Sequence, residues 1–366
     1  SWLWLAWRGA RLERIDAALL EAQPPAPPAA APNAGEPPRA DPLRRSLTRA
    51  AGSQRLAGRG ARRRRPSPVC VRPAVGTGIR PSFASSAGRE GYMVAHLPTR
   101  VAKVADTLAL ESPHWLRPAV VGALAAPREG RGAAPAGFDA VSLGCGPGFD
   151  LPALALVKPL LRLGADGADR TLLGQSGVRV LTLDYEARWE TEVGAVVAAT
   201  RSALGLRHSA AFGRCDITLP LAAPANELVE EALAGGTRLF VASYVVAENA
   251  VALRDSDFVF FEELFARAPA GTLMLVLETT HRQFPAIARA AWRGGGDAVA
   301  AACPRVRSNR GYSLCLLKRS AAPAGVEGGE ADAFGPESEE LSELFSRFEE
   351  DDRRQRRKAL DEESVG

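Results

Sequence analysis

From about residue 138 onward the chain alternates short apolar runs with longer stretches in which apolar positions recur every three or four residues. Runs suited to buried strands fall at Ala140 to Leu143, Val178 to Leu183, Leu239 to Val246, Leu273 to Leu277 and Ser313 to Leu317. Helical patterns lie between several of them. The clearest places Phe258, Phe261, Leu264 and Phe265 on one face, with Ser256 as candidate cap and a stop at Pro269, Ala270 and Gly271. Strand, crossover and strand repeated this way predict an α/β fold with an open, doubly wound, mainly parallel sheet and helices on both faces. Ligands in such sheets bind at the carboxyl ends of the strands.

The flanks are patterned differently. Trp2, Trp4 and Trp7 precede Leu12, Ile15, Leu19 and Leu20 at a spacing that fits one amphipathic helix docked on the core. Residues 22–91 are rich in Pro, Ala, Gly, Ser and Arg and read as a disordered arm, because such a chain buries too little apolar surface to offset its ordering entropy. Three segments follow: 1–91 as helix plus basic arm, 92–320 as the folded domain, and 321–366 as an acidic linker and charged helix. That last helix carries Leu341, Leu344, Phe345 and Phe348 on one stripe, which suits docking on the domain or on a partner equally.

Charge follows the same division. Of 366 residues, 46 are Lys or Arg and 42 Asp or Glu; residues 1–90 carry 16 basic against 6 acidic side chains, 91–320 carry 24 against 22, and 321–366 carry 6 against 14. A near-neutral middle argues against a nucleic-acid surface built wholly from the core. The run Arg62 to Arg65 fits an RNA contact, a nuclear address, an organellar transit peptide or a plain solvated run. Compartment and oligomeric state therefore stay open, as does the true amino terminus of a chain that opens at Ser1. Five cysteines without CxxC spacing argue against a disulfide scaffold and a zinc site, and no apolar run is long enough for a membrane span, so a soluble protein is expected.

The candidate chemistry starts at Asp139-Ala-Val-Ser-Leu-Gly144-Cys145-Gly146-Pro-Gly148-Phe-Asp150-Leu-Pro152, which reads as strand, glycine turn and helix start. Glycines at alternate positions let the backbone turn sharply and approach a ligand closely. Asp150 is placed to cap the helix, and Pro152 is tolerated in its first turn.

Gly144-Cys145-Gly146-Pro147-Gly148 resembles the first motif of the class I S-adenosylmethionine-dependent methyltransferases, and the resemblance extends over Phe138 to Arg319. It implies a Rossmann-like, seven-stranded sheet whose last strand, Gly311 to Lys318, is antiparallel. It also implies S-adenosyl-L-methionine as cofactor, its methionine part wrapped by the loop. Asp184, followed by Tyr185, matches the acid that holds the ribose hydroxyls, and Asp216, followed by Ile217, matches the acid beside the adenine. A carboxylate suits both tasks because it accepts hydrogen bonds from vicinal hydroxyls or an exocyclic amine. Two departures stand out. Ser142 occupies the position where many members carry an acid, for which Asp150 is a candidate substitute. Asp184 also lies 36 residues after Gly148, against about 20 in glycine-loop dinucleotide sites; an inserted loop at 164–177 accounts for the excess.

Methyl transfer is an in-line displacement, so the protein positions the acceptor and removes its proton where there is one. Ser243, Tyr244, Glu248 and Asn249 follow the fourth strand, and Glu278, Thr279, Thr280, His281 and Arg282 the fifth. Glu248, Glu278 and His281 are the candidate bases, with backbone or packing roles as alternatives. Ser243 and Tyr244 are assigned to cofactor or substrate positioning. Tyr92 and Arg100 belong either to a lid or to a helix on the sheet edge, and Trp115 and Trp189 to packing. The segment Leu239 to Asn249 with Glu278 to His281 is similar to methyltransferase-like proteins of plants and algae.

The acceptor is open. RNA ranks ahead of protein and small molecules because of the basic arm, but the Asn/Asp-Pro-Pro-aromatic signature of amino-directed nucleic-acid enzymes is absent after strand four. So is the Pro-Cys of carbon-5 pyrimidine enzymes. The rival readings are a catalytically inactive, methyltransferase-shaped binding module and an NAD(P)-binding oxidoreductase. The latter wants a glycine where Phe149 stands.

Overall fold

The computed structural model describes residues 13–15, 17–18, 83–109, 116–125, 137–158, 177–205, 207–303, 311–319 and 339–365. The amino-terminal tryptophans, Trp115, the Arg62 to Arg65 run and all but the last residue of the expected 164–177 insertion lie outside them. Ile15, from the first helical pattern, is helical and buried.

Two helices precede the sheet: α1 (Ser86–Ala109) and α2 (Leu116–Ala125). Strands and helices then alternate as β1 (Ala140–Leu143), α3 (Asp150–Val157), β2 (Arg179–Asp184), α4 (Glu190–Leu204), β3 (Ser209–Arg214), α5 (Glu227–Ala234) and β4 (Leu239–Ser243). They continue as α6 (Ala250–Asp255), α7 (Val259–Arg267), β5 (Leu273–Glu278), α8 (Phe284–Gly295), β6 (Val299–Ala302), β7 (Tyr312–Lys318) and α9 (Glu339–Val365). The strands form one sheet in the order β3-β2-β1-β4-β5-β7-β6. All neighbours from β3 to β5 are parallel, and β7 runs antiparallel to both β5 and β6. This is the doubly wound, mainly parallel, seven-stranded sheet with an antiparallel last strand implied by the resemblance.

Strands β1, β2, β4 and β5 are buried on both faces, so they read as continuous apolar runs. Alternation still decides where each residue goes. In β5, Leu273, Leu275 and Leu277 join one core with α1 to α4, and Met274 and Val276 join the other with α5 to α9. Helix α1 enters the first core through Met93, Leu97, Val101, Val104 and Leu108, a spacing of three or four that lines one helical face. It packs on α3 and α4. Helix α9 docks on the second core, with Leu341 and Phe345 buried there and Leu344 and Phe348 packed against it.

Four features differ from the sequence expectation. Helix α1 starts at Ser86, inside the segment read as an arm. The fourth strand stops at Ser243, not Val246, because Tyr244 takes a left-handed backbone with φ 62°. Ser256 caps no helix start; it closes α6, and α7 begins after Phe258, which has φ 57°. Strands β3 and β6 lie outside the expected runs: β3 is an edge strand of half-buried and exposed residues, and β6 is a four-residue run of small side chains, Val-Ala-Ala-Ala. No described helix is long and apolar enough to cross a membrane.

Candidate functional site

The strand order reverses between β1 and β4, and the crevice above that switch point gathers the loops after β1, β2, β4 and β5. The β1 loop turns on Gly144, Gly146 and Gly148, with φ 61°, 49° and 82°. These glycines do different jobs. A Cβ on Gly144 would lie 2.2 Å from Val245 Cγ2, so its absence lets the β1 and β4 loops pack together. A Cβ on Gly146 would meet nothing within 4 Å, so the backbone there borders open space.

Two hydrogen bonds tie this loop to β2. The Cys145 amide donates to the Leu183 carbonyl at 3.0 Å, and the Gly146 amide donates to Asp184 Oδ2 at 2.8 Å. The second carboxylate oxygen of Asp184 accepts from the Glu186 amide at 2.9 Å. The ribose-acid candidate and the glycine loop therefore face the same crevice. Burial pushes the Asp184 carboxyl up to about 6, with the amides of Glu186 and Gly146 opposing. Tyr185 beside it is half-buried.

Asp150 does not cap α3; it is the first residue of that helix, and Phe149 precedes it with helical dihedrals and no side-chain cap bond. Its fully buried carboxylate takes the hydroxyl of Ser142 on β1 at 2.5 Å and that of Ser243 on β4 at 2.7 Å. An acid thus reaches the Ser142 position from the helix that follows the loop. Burial raises its pKa and the two serines oppose the rise.

Beyond β4, the Tyr244 amide donates to the Leu277 carbonyl at 2.7 Å, which fixes the left-handed turn. Glu278 Oε1 accepts from the amides of Val246 at 2.6 Å and Ala247 at 3.0 Å. That carboxylate braces the turn leading to Glu248. Both acids are pushed up to about 7, chiefly by burial. The positive charge of Arg100 opposes the rise at Glu248, and the negative charge of Asp184 adds to it. Asp216 Oδ1 accepts from the Thr218 amide and hydroxyl, and Asn226 knits the same turn to residues 219 and 220. Ile217 is buried beside it.

His281 stands with a different set of residues. Its ring lies 4.0 Å from that of Phe348 and 4.4 Å from that of Tyr312, and Nε2 is 3.5 Å from Asp351 Oδ2 on α9. Burial lowers its pKa, and the charges that act on it are Asp351, Arg282 and Asp352. Trp189 is buried against Phe83 and Tyr92, which is packing.

Four site residues take a place that the sequence reading left open or gave otherwise. Ser142 holds Asp150 instead of standing where an acid was lost. Phe149 and Tyr92 stack at 6.3 Å. Arg100 on α1 sits over Tyr244 at 4.2 Å, Tyr92 at 5.0 Å and Phe149 at 5.8 Å. Helix α1 therefore crosses the β1 and β4 loops and is no mere edge helix. Tyr92, His96, Arg100 and Lys103 recur every three or four residues, so the polar face of α1 was visible as a period, though not its target.

No protein-family model matches the chain, and no curated protein matches it in sequence. Solved structures resemble it in fold. An rRNA methylase from Streptococcus thermophilus is 12% identical, matched over 58% of this chain and 99% of its own, with a TM-score of 0.33. An S-adenosylmethionine-dependent methyltransferase from Clostridium acetobutylicum is 8% identical over 50% and 84%, at 0.29. Magnesium protoporphyrin IX methyltransferase from Synechocystis, with bound SAH, is 14% identical over 50% and 74%, at 0.28. The strand order and the direction of β7 define the fold independently of these likenesses.

Proposed function

We propose that this protein is an S-adenosylmethionine-dependent methyltransferase. The observation that carries the reading is the closure of the β1 glycine loop on the β2 carboxylate at the switch point, with Gly146 open to the crevice. The residues fit the cofactor: a backbone a side chain would block, and a buried acid beside it. Gly144, Cys145, Gly146 and Gly148 would wrap the methionine part, with Asp150 behind them. Asp184 and Tyr185 would hold the ribose, Asp216 and Ile217 the adenine, and Ser243 and Tyr244 the side nearest the acceptor. The bound cofactor supplies an electrophilic methyl group on sulfonium.

The chain's own residues then orient the acceptor and accept its proton. Glu248 is the candidate base, because a half-buried carboxyl pushed up to about 7 exchanges a proton at neutral pH and, unlike that of Glu278, is not engaged by the 246–247 amides. Glu278 acts through it, holding the 246–247 turn. His281, under α9, is assigned to docking that helix. Phe149 is 2% exposed and occupies the place of a dinucleotide loop's third glycine, which disfavours an oxidoreductase. RNA stays first among acceptors on the strength of the Arg62 to Arg65 run.

Titration calorimetry with S-adenosylmethionine tests the reading. Saturable binding that Asp184→Ala weakens is expected. Absence of binding up to millimolar cofactor would favour an inactive binding module.

A further inference from the structure

Helix α9 is 27 residues long, about 40 Å at 1.5 Å per residue, and docks on the domain through its first half. Leu341 and Phe345 are buried in the second core, Glu349 pairs with Arg289, and Asp351 faces His281. These contacts fix its direction. Phe345 lies 6.0 Å from Trp292, whose indole N–H donates to the Val299 carbonyl at the start of β6. Phe348, one turn on, lies 4.0 Å from His281 and 6.5 Å from Phe284, both of which follow the carboxyl end of β5. Since β6 and β5 are each antiparallel to β7, they run the same way. Helix α9 therefore climbs toward the carboxyl ends of the strands, where the crevice opens. No Pro or Gly interrupts residues 339–365, so the helix projects about 20 Å past Asp351 on that side.

The charge changes sign where the docking ends. Residues 349–352 are Glu-Glu-Asp-Asp, and the run from Arg353 to Lys358 holds five basic residues in six positions. Arg353, Arg354 and Arg357 are exposed. Arg353 Nε donates to the Glu349 carbonyl at 3.3 Å and Arg354 stands 3.9 Å from Asp351, contacts within one turn of an exposed helix that compete weakly with a ligand. Between Asp352 and Lys358 stands no apolar side chain. Protein interfaces are anchored by buried apolar and aromatic groups, and membrane-surface helices by an apolar face. A surface of charge alone suits a phosphate backbone, whose affinity is electrostatic.

We propose that the projecting half of α9, through Arg353, Arg354 and Arg357, holds the phosphate backbone of a single-stranded RNA above the carboxyl ends of the strands, an inference that rests on the proposed methyltransferase reading for what is done to that RNA. It adds to the amino-terminal arm a contact whose place is set by the domain. A single strand fits better than a duplex, because its bases splay out of the stack and the half-buried Glu248 is reached only by a group outside a stack.

The experiment is fluorescence anisotropy of a short labelled single-stranded RNA of mixed sequence, titrated with the full chain, without cofactor, over a series of KCl concentrations. Two triple variants are compared with wild type: Arg353→Gln, Arg354→Gln, Arg357→Gln, and the same three positions changed to Lys. Both replacements are good helix formers, and thermal melting establishes that each protein is folded. The Gln variant should lose roughly 10-fold or more in affinity at low salt. Its slope of log affinity against log salt should flatten by about 2, at roughly 0.7 for each of the phosphate contacts on a single strand. The Lys variant should keep both. A wild type that does not bind RNA overturns the proposal, as does a Gln variant with unchanged affinity and slope. Equal weakening by Gln and Lys marks the shape of the helix and not its charge, and overturns it too. Duplex DNA of the same sequence, held as tightly through the same arginines, overturns the assignment to single-stranded RNA. Failure of the methyltransferase reading is seen apart from this: arginine-dependent RNA binding by a protein that calorimetry shows to bind no S-adenosylmethionine upholds the docking surface and removes the methyl transfer.

Discussion

The Gly146 amide and the Asp184 carboxylate are joined at 2.8 Å across 38 residues of sequence. One oxygen of Asp184 closes the glycine loop and the other the Glu186 turn, so the acid both shapes the crevice and faces it. Asp184→Ala should weaken S-adenosylhomocysteine binding by about 1 to 3 kcal/mol, the scale of a lost hydrogen bond to a charged group. Asp184→Asn is the sharper variant. Its amide oxygen still accepts from Glu186, but its NH2 faces the Gly146 N–H and cannot accept from it. Calorimetry of the folded variants should rank wild type first and both variants well below it.

Gly144 and Gly146 separate folding from binding. Gly144→Ala puts a methyl group into Val245 and keeps a positive φ, so it should lower the melting temperature markedly. Gly146→Ala meets no protein atom, so its folding cost is confined to backbone strain of about 1 kcal/mol. Its cofactor binding should nonetheless collapse, because the new Cβ fills the space over the loop. A Gly146→Ala protein that melts near wild type and binds cofactor normally would place the methionine part elsewhere.

The contrast also shows what the sequence makes legible. Strands packed between two helical layers announce themselves as apolar runs, which is why β1, β2, β4, β5 and the antiparallel β7 could be located. The loop was visible because positive φ needs glycine. Partnerships between distant residues were not visible: Asp150 looked like a helix cap, and only the packed sheet brings it between Ser142 and Ser243. His281 looked like a base because it follows a strand, and α9 takes it into a packing site. Arg100 lies outside the strand and loop pattern altogether, so its place over Tyr244 depends on how α1 crosses the sheet.

Glu278 links the crevice to stability. Its folded pKa of about 7 lies above its ordinary 4.5, so the native state holds the proton more tightly than the unfolded chain. The resulting stabilisation is complete below about pH 4.5 and disappears as the pH rises through about 7. Glu278→Gln keeps an oxygen for the Val246 and Ala247 amides and has no charge to desolvate. Wild type and variant should melt alike at about pH 4, whereas at about pH 8 the variant should be more stable by on the order of 2 kcal/mol. A residual pH slope should persist in the variant, because Asp184 and Glu248 also have raised values.

Helix α9 couples the carboxyl-terminal segment to His281. The Phe348 ring covers the imidazole at 4.0 Å, and burial outweighs the attraction of Asp351, so His281 titrates below its ordinary 6.5. Phe348→Ala removes that cover while leaving Leu341 and Phe345 in the core. The imidazole should then gain water, and its pKa, followed by NMR, should rise toward 6.5. The cost in stability should be smaller than the roughly 3 to 5 kcal/mol of a fully buried Phe→Ala change, since Phe348 is only partly buried. Cofactor affinity should not move, because His281 packs on Phe348 and Tyr312 and faces Asp351 of α9, away from the residues assigned to the cofactor. A large loss of affinity in Phe348→Ala would instead join α9 to the crevice and restore His281 as a candidate for the chemistry.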